Sequence, residues 1–171
     1  MMNNDEKSAF VVLGLGSNRG DSRLIIYNAI SILKQELENL ISASLYKTDP
    51  LYVVDQNKFI NTAVSGYYKG TPRDLLYYIS YVEARFGRDR SRERRWGERI
   101  LDIDILLFED KIINEKDLII PHLMLKERRF ALEPLLEILP DATEPGTGIS
   151  YKDICNALPD QGSIKLINDG E

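Results

Sequence analysis

Asp102 and Asp104 are the residues whose type and spacing most directly indicate chemistry. They are separated by one residue within residues 100–108, a segment whose other members are all apolar. Side chains alternate between the faces of a β-strand, so the two carboxylates would share one face, with Cα atoms about 6–7 Å apart. In a partly dehydrated environment the two negative charges would need neutralisation by a cation or by strong hydrogen-bond donors. An ordinary solvated strand face also carries alternating acids, so the spacing alone leaves both interpretations open.

The residues around the two acids predict where the strand lies. Leu106 and Phe108 continue the acid-bearing face, and the opposite face carries Leu101, Ile103, Ile105 and Leu107. Both faces become apolar directly after the acids. This pattern predicts an interior strand with the aspartates at its open end.

A cluster of arginines precedes this strand. Residues 85–99 contain seven arginines and three acids, although the whole chain has a net charge of −5. One cationic segment on an acidic protein indicates a local anionic ligand rather than a polyanion. Guanidinium groups match phosphate oxygens and carboxylates match Mg²⁺. The first hypothesis is therefore a site for Mg²⁺ and phosphate, and the alternative is a solvated loop with ordinary ion pairs.

Length and composition limit the class of protein. The 171 residues, 43% of them hydrophobic, suit a single domain, which we place at residues 1–171 with an ordered core at 10–167 and disorder at 1–9. The net charge of −5 argues against a nucleic-acid or membrane partner. A single cysteine and a single histidine exclude an internal disulfide and a His-rich zinc site. The polar first nine residues lack an apolar leader, so we expect a cytoplasmic enzyme.

Hydrophobic periodicity predicts the elements that position these residues. A strand at 10–15 enters a glycine-containing turn, which we interpret as a tight strand-to-helix connection rather than a nucleotide-binding glycine loop. The next elements are a helix from 21 or 22 to 39, a strand at 41–48, a loop at 49–58, a strand at 59–68 and a helix at 71–86. With the strand at 100–108 the order is β-α-β-β-α-β. This order predicts an α+β fold, a ferredoxin-like sandwich with helices packed on an antiparallel sheet.

A C-terminal extension follows this unit. We predict a hairpin from 111–114 and 118–120, a helix after Pro121, a short helix near Tyr151 and a strand at 163–167. Pro134 and Pro140 are expected to break the region into pieces.

Several motifs occur in a fixed order along the chain. They are Gly16-Ser17-Asn18, residues 46–51 with Asp55-Gln56, and residues 59–64, 95–108, 120–122 and 128–135. With these motifs the chain resembles, from about residue 10 to 167, the family of 6-hydroxymethyl-7,8-dihydropterin pyrophosphokinases of folate biosynthesis. The resemblance implies a ferredoxin-like fold and transfer of the β,γ-diphosphate of ATP to the pterin hydroxymethyl group, which leaves AMP.

The resemblance also implies a role for each matching residue. Asp102 and Asp104 would hold two Mg²⁺ ions, and Arg88 and Arg99 would complete the catalytic set. The implied ATP-binding residues are Glu83, Arg90, Arg95, Ile105, His122 and Arg128. The implied pterin-binding residues are Thr48, Asp49, Leu51, Phe59, Asn61, Trp96 and Phe130. The implied partners are ATP and 6-hydroxymethyl-7,8-dihydropterin. No nucleic-acid or membrane partner is implied, and the chain is expected to be a monomer.

Aromatic and amide groups suit the implied pterin. Phe59 and Phe130 would sandwich the flat ring, with Trp96 closing over it, because offset stacking adds to area burial. Asn61 and Thr48 would pair with the donors and acceptors of its edge.

Two residues depart from the family pattern. Tyr52 stands where glycine is usual, which predicts a different path for its loop. Leu123 stands where tyrosine or proline is frequent, which removes one hydroxyl contact to phosphate. Neither departure touches the paired aspartates, so we expect an active enzyme.

Two other classes stay open at this point. A metal-dependent nucleotidyltransferase or polymerase palm also presents paired aspartates on a ferredoxin-like sheet, but it needs a third acid and a broad basic face, against which the net charge argues. A non-catalytic binding module would have no use for paired acids beside an arginine loop. Residues 48–58 and 87–98 are long polar loops beside the proposed site, and we predict that they close over the substrates.

Overall fold

An antiparallel sheet forms the centre of the fold in the computed structural model, which describes residues 8–89 and 97–168. The elements before residue 109 are β1 (Ala9–Ser17), α1 (Ser22–Leu33), β2 (Leu37–Ser42), β3 (Tyr46–Thr48), β4 (Phe59–Tyr68), α2 (Pro72–Arg85) and β5 (Asp102–Phe108). The later elements are β6 (Ile113–Glu115), β7 (Leu118–Ile120), a 3-10 turn (Leu125–Glu127), α3 (Arg129–Ile138), α4 (Tyr151–Ala157) and β8 (Ile164–Leu166). The predicted β-α-β-β-α-β order is confirmed, with the second strand divided into β2 and β3.

The strand order in the main sheet is β5-β1-β4-β3-β8, and β2 also pairs with β4. Each of these pairings is antiparallel. The predicted α+β class, an antiparallel sheet with packed helices, is therefore confirmed. β6 and β7 form the predicted hairpin, and β8 is the strand predicted near the C-terminus.

Alternating side chains of β1 contribute to two apolar clusters. Val11, Leu13 and Leu15 pack with α1 and α2, whereas Val12 packs with α3 and α4. Each such fully buried side chain contributes about 1.5–3 kcal/mol relative to an exposed one, so both helical layers are held firmly on the sheet. Among the described residues, none of the helices combines the length and the apolar character that a membrane crossing requires.

Helix α1 is shorter than the sequence predicts. It ends at Leu33, because the chain then turns and enters β2 at Leu37. A register shift in β2, with Asn39 at φ 53°, brings both Leu37 and Leu40 towards the core. The spacing of three residues between Leu37 and Leu40 continues the apolar pattern of α1. The periodicity therefore predicted, wrongly, a helix that reaches residue 39.

A β-bulge corrects the prediction for the end of β5. Val12 pairs with Leu107 but Leu13 pairs with Ile105, so Leu106 is the extra residue on its strand. Beyond the bulge the alternation is reversed: Phe108 joins the cluster under α1 and α2, and Leu107 joins the cluster under α3 and α4. The prediction that Phe108 continues the acid-bearing face was wrong, since strict alternation takes no account of a bulge.

Pro134 does not break the chain as predicted, because it lies inside α3. A proline ring fixes φ near the helical value and removes one N–H, so one backbone hydrogen bond is lost. Pro134 is buried, and the packing of its ring offsets that loss. Pro140 lies just beyond the end of α3, as predicted.

Candidate functional site

Two glycines of β1 form an open floor between functional side chains. Gly16 lies between Asp102 of β5 and Asn61 of β4 in the sheet register. A Cβ atom on Gly16 would stand only 2.8 Å from Oδ1 of Asn61. Gly14 lies in the next such row, opposite Asp104. The strand was predicted to end at residue 15, before Gly16, but β1 continues through Gly16 to Ser17.

A cavity that opens to solvent lies above this floor, and its empty space, open solvent included, is about 880 Å³. The predicted site residues that line it are Thr48, Asp49, Leu51, Phe59, Asn61, Arg99, Asp102, Asp104, His122, Arg128 and Phe130. Residues without a predicted role also line it, namely Gly14, Leu15, Gly16, Tyr52, Gln56, Thr62, Gly97, Leu106 and Ala131. The predicted roles of Arg90, Arg95 and Trp96 fall on residues outside the described ranges.

Arg88 lies between two acids at the edge of the cavity. Its Nη1 atom donates to both Glu83 and Asp102, and its side chain is 5% exposed. Glu83, 1% exposed, also accepts from the backbone N–H of Ile103 at 2.8 Å. A charge buried this deeply must be paired. Glu83 thus fixes the Arg88 guanidinium. It is not one of the described residues that line the cavity.

Two further arginines and His122 lie beside the aspartates. The Arg99 Nε atom is 3.8 Å from Oδ2 of Asp102. Oδ2 of Asp104 lies 3.6 Å from Nε2 of His122 and 3.7 Å from Nη1 of Arg128. These three distances exceed a hydrogen bond, and the two to the arginines are short enough for interaction between charges. The paired aspartates therefore stand in a cationic environment suited to phosphate.

His122 is held as a neutral donor. Its Nδ1 accepts from the Met124 N–H at 3.2 Å, and its backbone N–H donates to the Leu106 carbonyl at 3.1 Å. Burial, and then the charge of Arg128, lower the pKa of His122 to about 4. The neutral imidazole therefore carries its proton on Nε2, which faces Asp104.

Polar and aromatic groups occupy the opposite end of the cavity. Nδ2 of buried Asn61 donates to Oγ1 of buried Thr48 at 2.7 Å. Phe59 and Phe130 both line the cavity, and the Arg128 guanidinium lies over the Phe130 ring at 5.7 Å. An amide beside two aromatic rings is suited to a flat heterocycle with hydrogen-bonding edges.

Asp49 and the residues after it form one wall. The Asp49 carboxylate pairs with Lys58 at 2.6 Å and accepts from the Ser163 N–H at 2.8 Å. The Lys58 hydrogen bond, followed by that from Ser163, lowers the pKa of Asp49. Tyr52 lines the cavity beside Leu51, whereas Leu123 is exposed.

Asn18 is a site residue whose role the sequence did not indicate. It is 3% exposed, and its Nδ2 donates to Gln56 and to the Asn57 carbonyl at 3.2 and 3.0 Å. Its Oδ1 accepts from the Arg99 N–H at 2.7 Å. Asn18 therefore connects the loop at 49–58 to the segment that carries Arg99. The Gly16-Ser17-Asn18 motif was the available signal, but its partners are distant in sequence.

The predicted nucleotide residue Ile105 lies on the other face of β5. Its side chain belongs to the cluster under α1 and α2, because it alternates with Asp104. Its backbone lies at the edge of the main sheet, so the prediction of an interior strand was wrong. The Ile103 N–H points away from β1 to Glu83, so the Ile105 N–H, two residues later, points the same way.

Comparisons with known proteins identify the family of the chain. The family model for 7,8-dihydro-6-hydroxymethylpterin-pyrophosphokinase matches residues 12–140. A 2-amino-4-hydroxy-6-hydroxymethyldihydropteridine pyrophosphokinase of Methylorubrum extorquens is 40% identical over 131 residues, 75% of this chain and 82% of the relative. The Bacillus subtilis protein of the same name is 38% identical over 137 residues, 79% and 81% of the two chains. The crystal structure of Plasmodium falciparum HPPK-DHPS has a TM-score of 0.72 at 18% identity; the match covers 90% of this chain and 44% of that chain.

The fold, the site and these relatives together define a transferase of the pyrophosphokinase class. The family model covers most of the chain, and the chain belongs to the 7,8-dihydro-6-hydroxymethylpterin-pyrophosphokinase family. Membership decides between the classes that the sequence left open. It favours an enzyme over a binding module and a pyrophosphokinase over a nucleotidyltransferase.

Proposed function

We propose that the protein transfers the β,γ-diphosphate of ATP to the hydroxymethyl group of 6-hydroxymethyl-7,8-dihydropterin, with Mg²⁺, and releases AMP, as a step of folate biosynthesis. The observation that carries the proposal is the two-ended cavity. Paired carboxylates and cations lie at one end, and a buried amide with two aromatic rings lies at the other. Asp102 and Asn61 are separated by two interstrand spacings, roughly 10 Å.

The paired acids fit Mg²⁺ by their donor chemistry. Mg²⁺ prefers oxygen ligands and is commonly held by one or two carboxylates together with substrate phosphates. Asp102 and Asp104 offer these oxygens, and the described part of the chain contains no cluster of three or more acidic, His or Cys ligands. We assign the two ions to this pair. When bound, they supply charge neutralisation at the phosphate oxygens.

The reaction requires a simple exchange of bonds. The pterin hydroxymethyl oxygen bonds to the β-phosphorus as the bond from that phosphorus to the bridging oxygen of AMP breaks, and the hydroxyl proton is released. Phosphoryl transfer of this kind depends on positioning and charge rather than covalent help from protein. The chain's own contribution is therefore to align the two substrates and to stabilise the phosphate charge.

The cationic residues have separate tasks in this proposal. Arg88, fixed by Glu83, holds Asp102 and presents charge to the phosphates, and Arg99 and Arg128 add charge beside it. His122 donates Nε2–H to a phosphate oxygen and does not act as a base there, because Nδ1 already accepts from the backbone. The Ile105 backbone, at the outer edge of β5, would receive the adenine edge.

The other end of the cavity would bind the pterin. Phe59 and Phe130 would stack on the ring, and Asn61 with Thr48 would pair with its edge. Leu51 and Asp49 would complete the wall. The roles of Arg90, Arg95 and Trp96, and a monomeric state, stay predictions.

The decisive experiment incubates the protein with ATP, Mg²⁺ and 6-hydroxymethyl-7,8-dihydropterin and identifies the nucleotide product. AMP that forms only when the pterin is present supports the proposal. ADP would indicate transfer of a single phosphoryl group instead. A folded protein that binds MgATP without forming AMP would contradict the proposed acceptor.

A further inference from the structure

Residues 158–167, which we name the C-terminal strap, join two walls of the cavity. The strap lies beyond residues 12–140, the part that matches the family model. Its ends are fixed in the core, since Leu158 packs against the cluster under α3 and α4, and Ile167 packs against the cluster under α1 and α2. Between these anchors the strap contacts backbone on both sides of the proposed pterin site.

The first wall begins with an unusual helix start. Arg128 is the N-cap of α3, with φ −120° and ψ 95°. Effective N-cap side chains accept hydrogen bonds, whereas a guanidinium only donates. Within the described residues, the Arg128 side chain makes no capping hydrogen bond to α3, and it extends instead to Asp104 and over Phe130. The first N–H groups of α3 need an acceptor from elsewhere.

Gln161 of the strap supplies that acceptor. Its Oε1 accepts from the Arg129 N–H at 2.9 Å, and its Nε2 donates to the Glu127 carbonyl at 2.7 Å. One carboxamide therefore bonds the backbone on both sides of Arg128. We infer that Gln161 is a positioning residue of the active site, which fixes the backbone from which Arg128 and Phe130 enter the cavity.

The second wall is held by the residues that follow. The Ser163 N–H donates to the Asp49 carboxylate at 2.8 Å, and the Asp49 N–H donates to the Ser163 carbonyl at 3.1 Å. Ile164 of β8 pairs with Thr48 of β3. The strap thus connects the Thr48 wall to the Phe130 wall. This link sets the width of the cavity between them, and its meaning for catalysis rests on the proposed function.

The test compares Gln161→Leu with Gln35→Leu in the full-length chain. Leucine keeps the approximate size of glutamine but removes both hydrogen bonds, and Gln35 is an exposed residue just beyond the end of α1. For Gln161→Leu we expect kcat/KM for the pterin to fall about tenfold, because small displacements of aligning groups slow transfer steeply. Gln161→Glu keeps the acceptor for the Arg129 N–H and loses the donor to the Glu127 carbonyl. Its kcat/KM should therefore lie between those of Gln161→Leu and the unmodified chain. Gln35→Leu should match the unmodified chain.

Two measurements distinguish a positioning role of Gln161 from a loss of folded structure and from a failure of the proposed function. The rates are compared per folded molecule, below the melting temperature of every variant, and hydrogen exchange at the Arg129 amide is measured without substrates. Faster exchange in Gln161→Leu supports the positioning role even if the unmodified chain forms no AMP, a result that would overturn only the proposed function. An active chain whose kcat/KM is equal in Gln161→Leu and Gln35→Leu would overturn the inference.

Discussion

Gly16→Ala is the substitution that tests the cavity floor most directly. The new Cβ would stand 2.8 Å from Oδ1 of Asn61, whereas ordinary van der Waals contact begins at 3.4 Å. The Asn61 amide must therefore move by about 0.6 Å, judged from these two distances. Gly16 lies in a regular strand without positive φ, so backbone strain does not contribute. The perturbation is confined to the amide and to the floor above which the pterin would lie.

The expected effect is large on binding and small on stability. Replacing glycine removes unfolded-state entropy and stabilises by about 0.4–1 kcal/mol. Weakening the hydrogen bond from Asn61 to Thr48 costs about 0.5–1.5 kcal/mol, so the two terms nearly cancel. A misplaced amide would lose up to two hydrogen bonds to the pterin, about 1–3 kcal/mol in total. The dissociation constant for the pterin should rise roughly tenfold to a hundredfold.

The assay is pterin binding by fluorescence titration in a double-mutant cycle with Asn61→Ala. If the methyl group acts through the amide, Gly16→Ala should weaken binding strongly in the natural background and hardly at all when Asn61 is alanine. The affinity for MgATP should stay within about twofold in both backgrounds, because the new methyl group contacts only the Asn61 side chain, which lies roughly 10 Å from Asp102. Equal losses of pterin affinity in the two backgrounds would refute the reasoning.

Three further predictions concern the acids, the histidine and the loop at 49–58. Asp104→Asn should lower kcat by about a thousandfold, because ion-mediated charge stabilisation is worth several kcal/mol, with a small change in melting temperature; near-normal turnover would remove Asp104 from the metal site. The imidazole of His122, the one histidine of the chain, should titrate at about pH 4 in an NMR experiment. Because an unfolded histidine binds its proton near pH 6.5, this group should lower the free energy of unfolding by up to about 3 kcal/mol as the pH falls from 6.5 to 4, relative to His122→Gln. Hydrogen exchange at 49–58 should slow when MgATP and the pterin bind together, and unchanged rates would exclude closure of this loop.

The sequence predicted the parts of the site that depend on local backbone geometry. The two-residue periodicity of a strand is independent of the rest of the fold, so the spacing of Asp102 and Asp104 was enough to place both on one face. Apolar alternation likewise indicated the order of strands and helices. The residues at the two ends of the cavity came from the motifs of the resemblance, since Asn61 and Phe130 alone would be interpreted as ordinary core residues.

The parts that could not be predicted are those that depend on distant partners. The resemblance assigns Glu83 to the nucleotide, a role that stays a prediction, and the sequence did not indicate its contacts with Arg88 and Ile103, which belong to a loop and to another strand. The bulge at Leu106 changes which side of the sheet Phe108 occupies, and one strand's pattern carries no signal of it. The spacing of apolar residues from Leu33 to Leu37 is compatible with a continued helix and with an irregular strand.

Sheet geometry explains why the two ends of this site need glycine between them. The row from Asp102 through Gly16 to Asn61 is fixed by backbone hydrogen bonds on both sides of β1, so no loop movement changes its length. A side chain at Gly16 would displace the Asn61 amide from this row, because its Cβ would stand 2.8 Å from Oδ1 of Asn61. On the proposed function, the loops would control access and exclude water, while three adjacent strands would determine the distance between phosphate and pterin. On the proposed function, specificity for a ring with a short hydroxymethyl arm follows from this spacing, because a longer or shorter arm would misplace the attacking oxygen against a rigid floor.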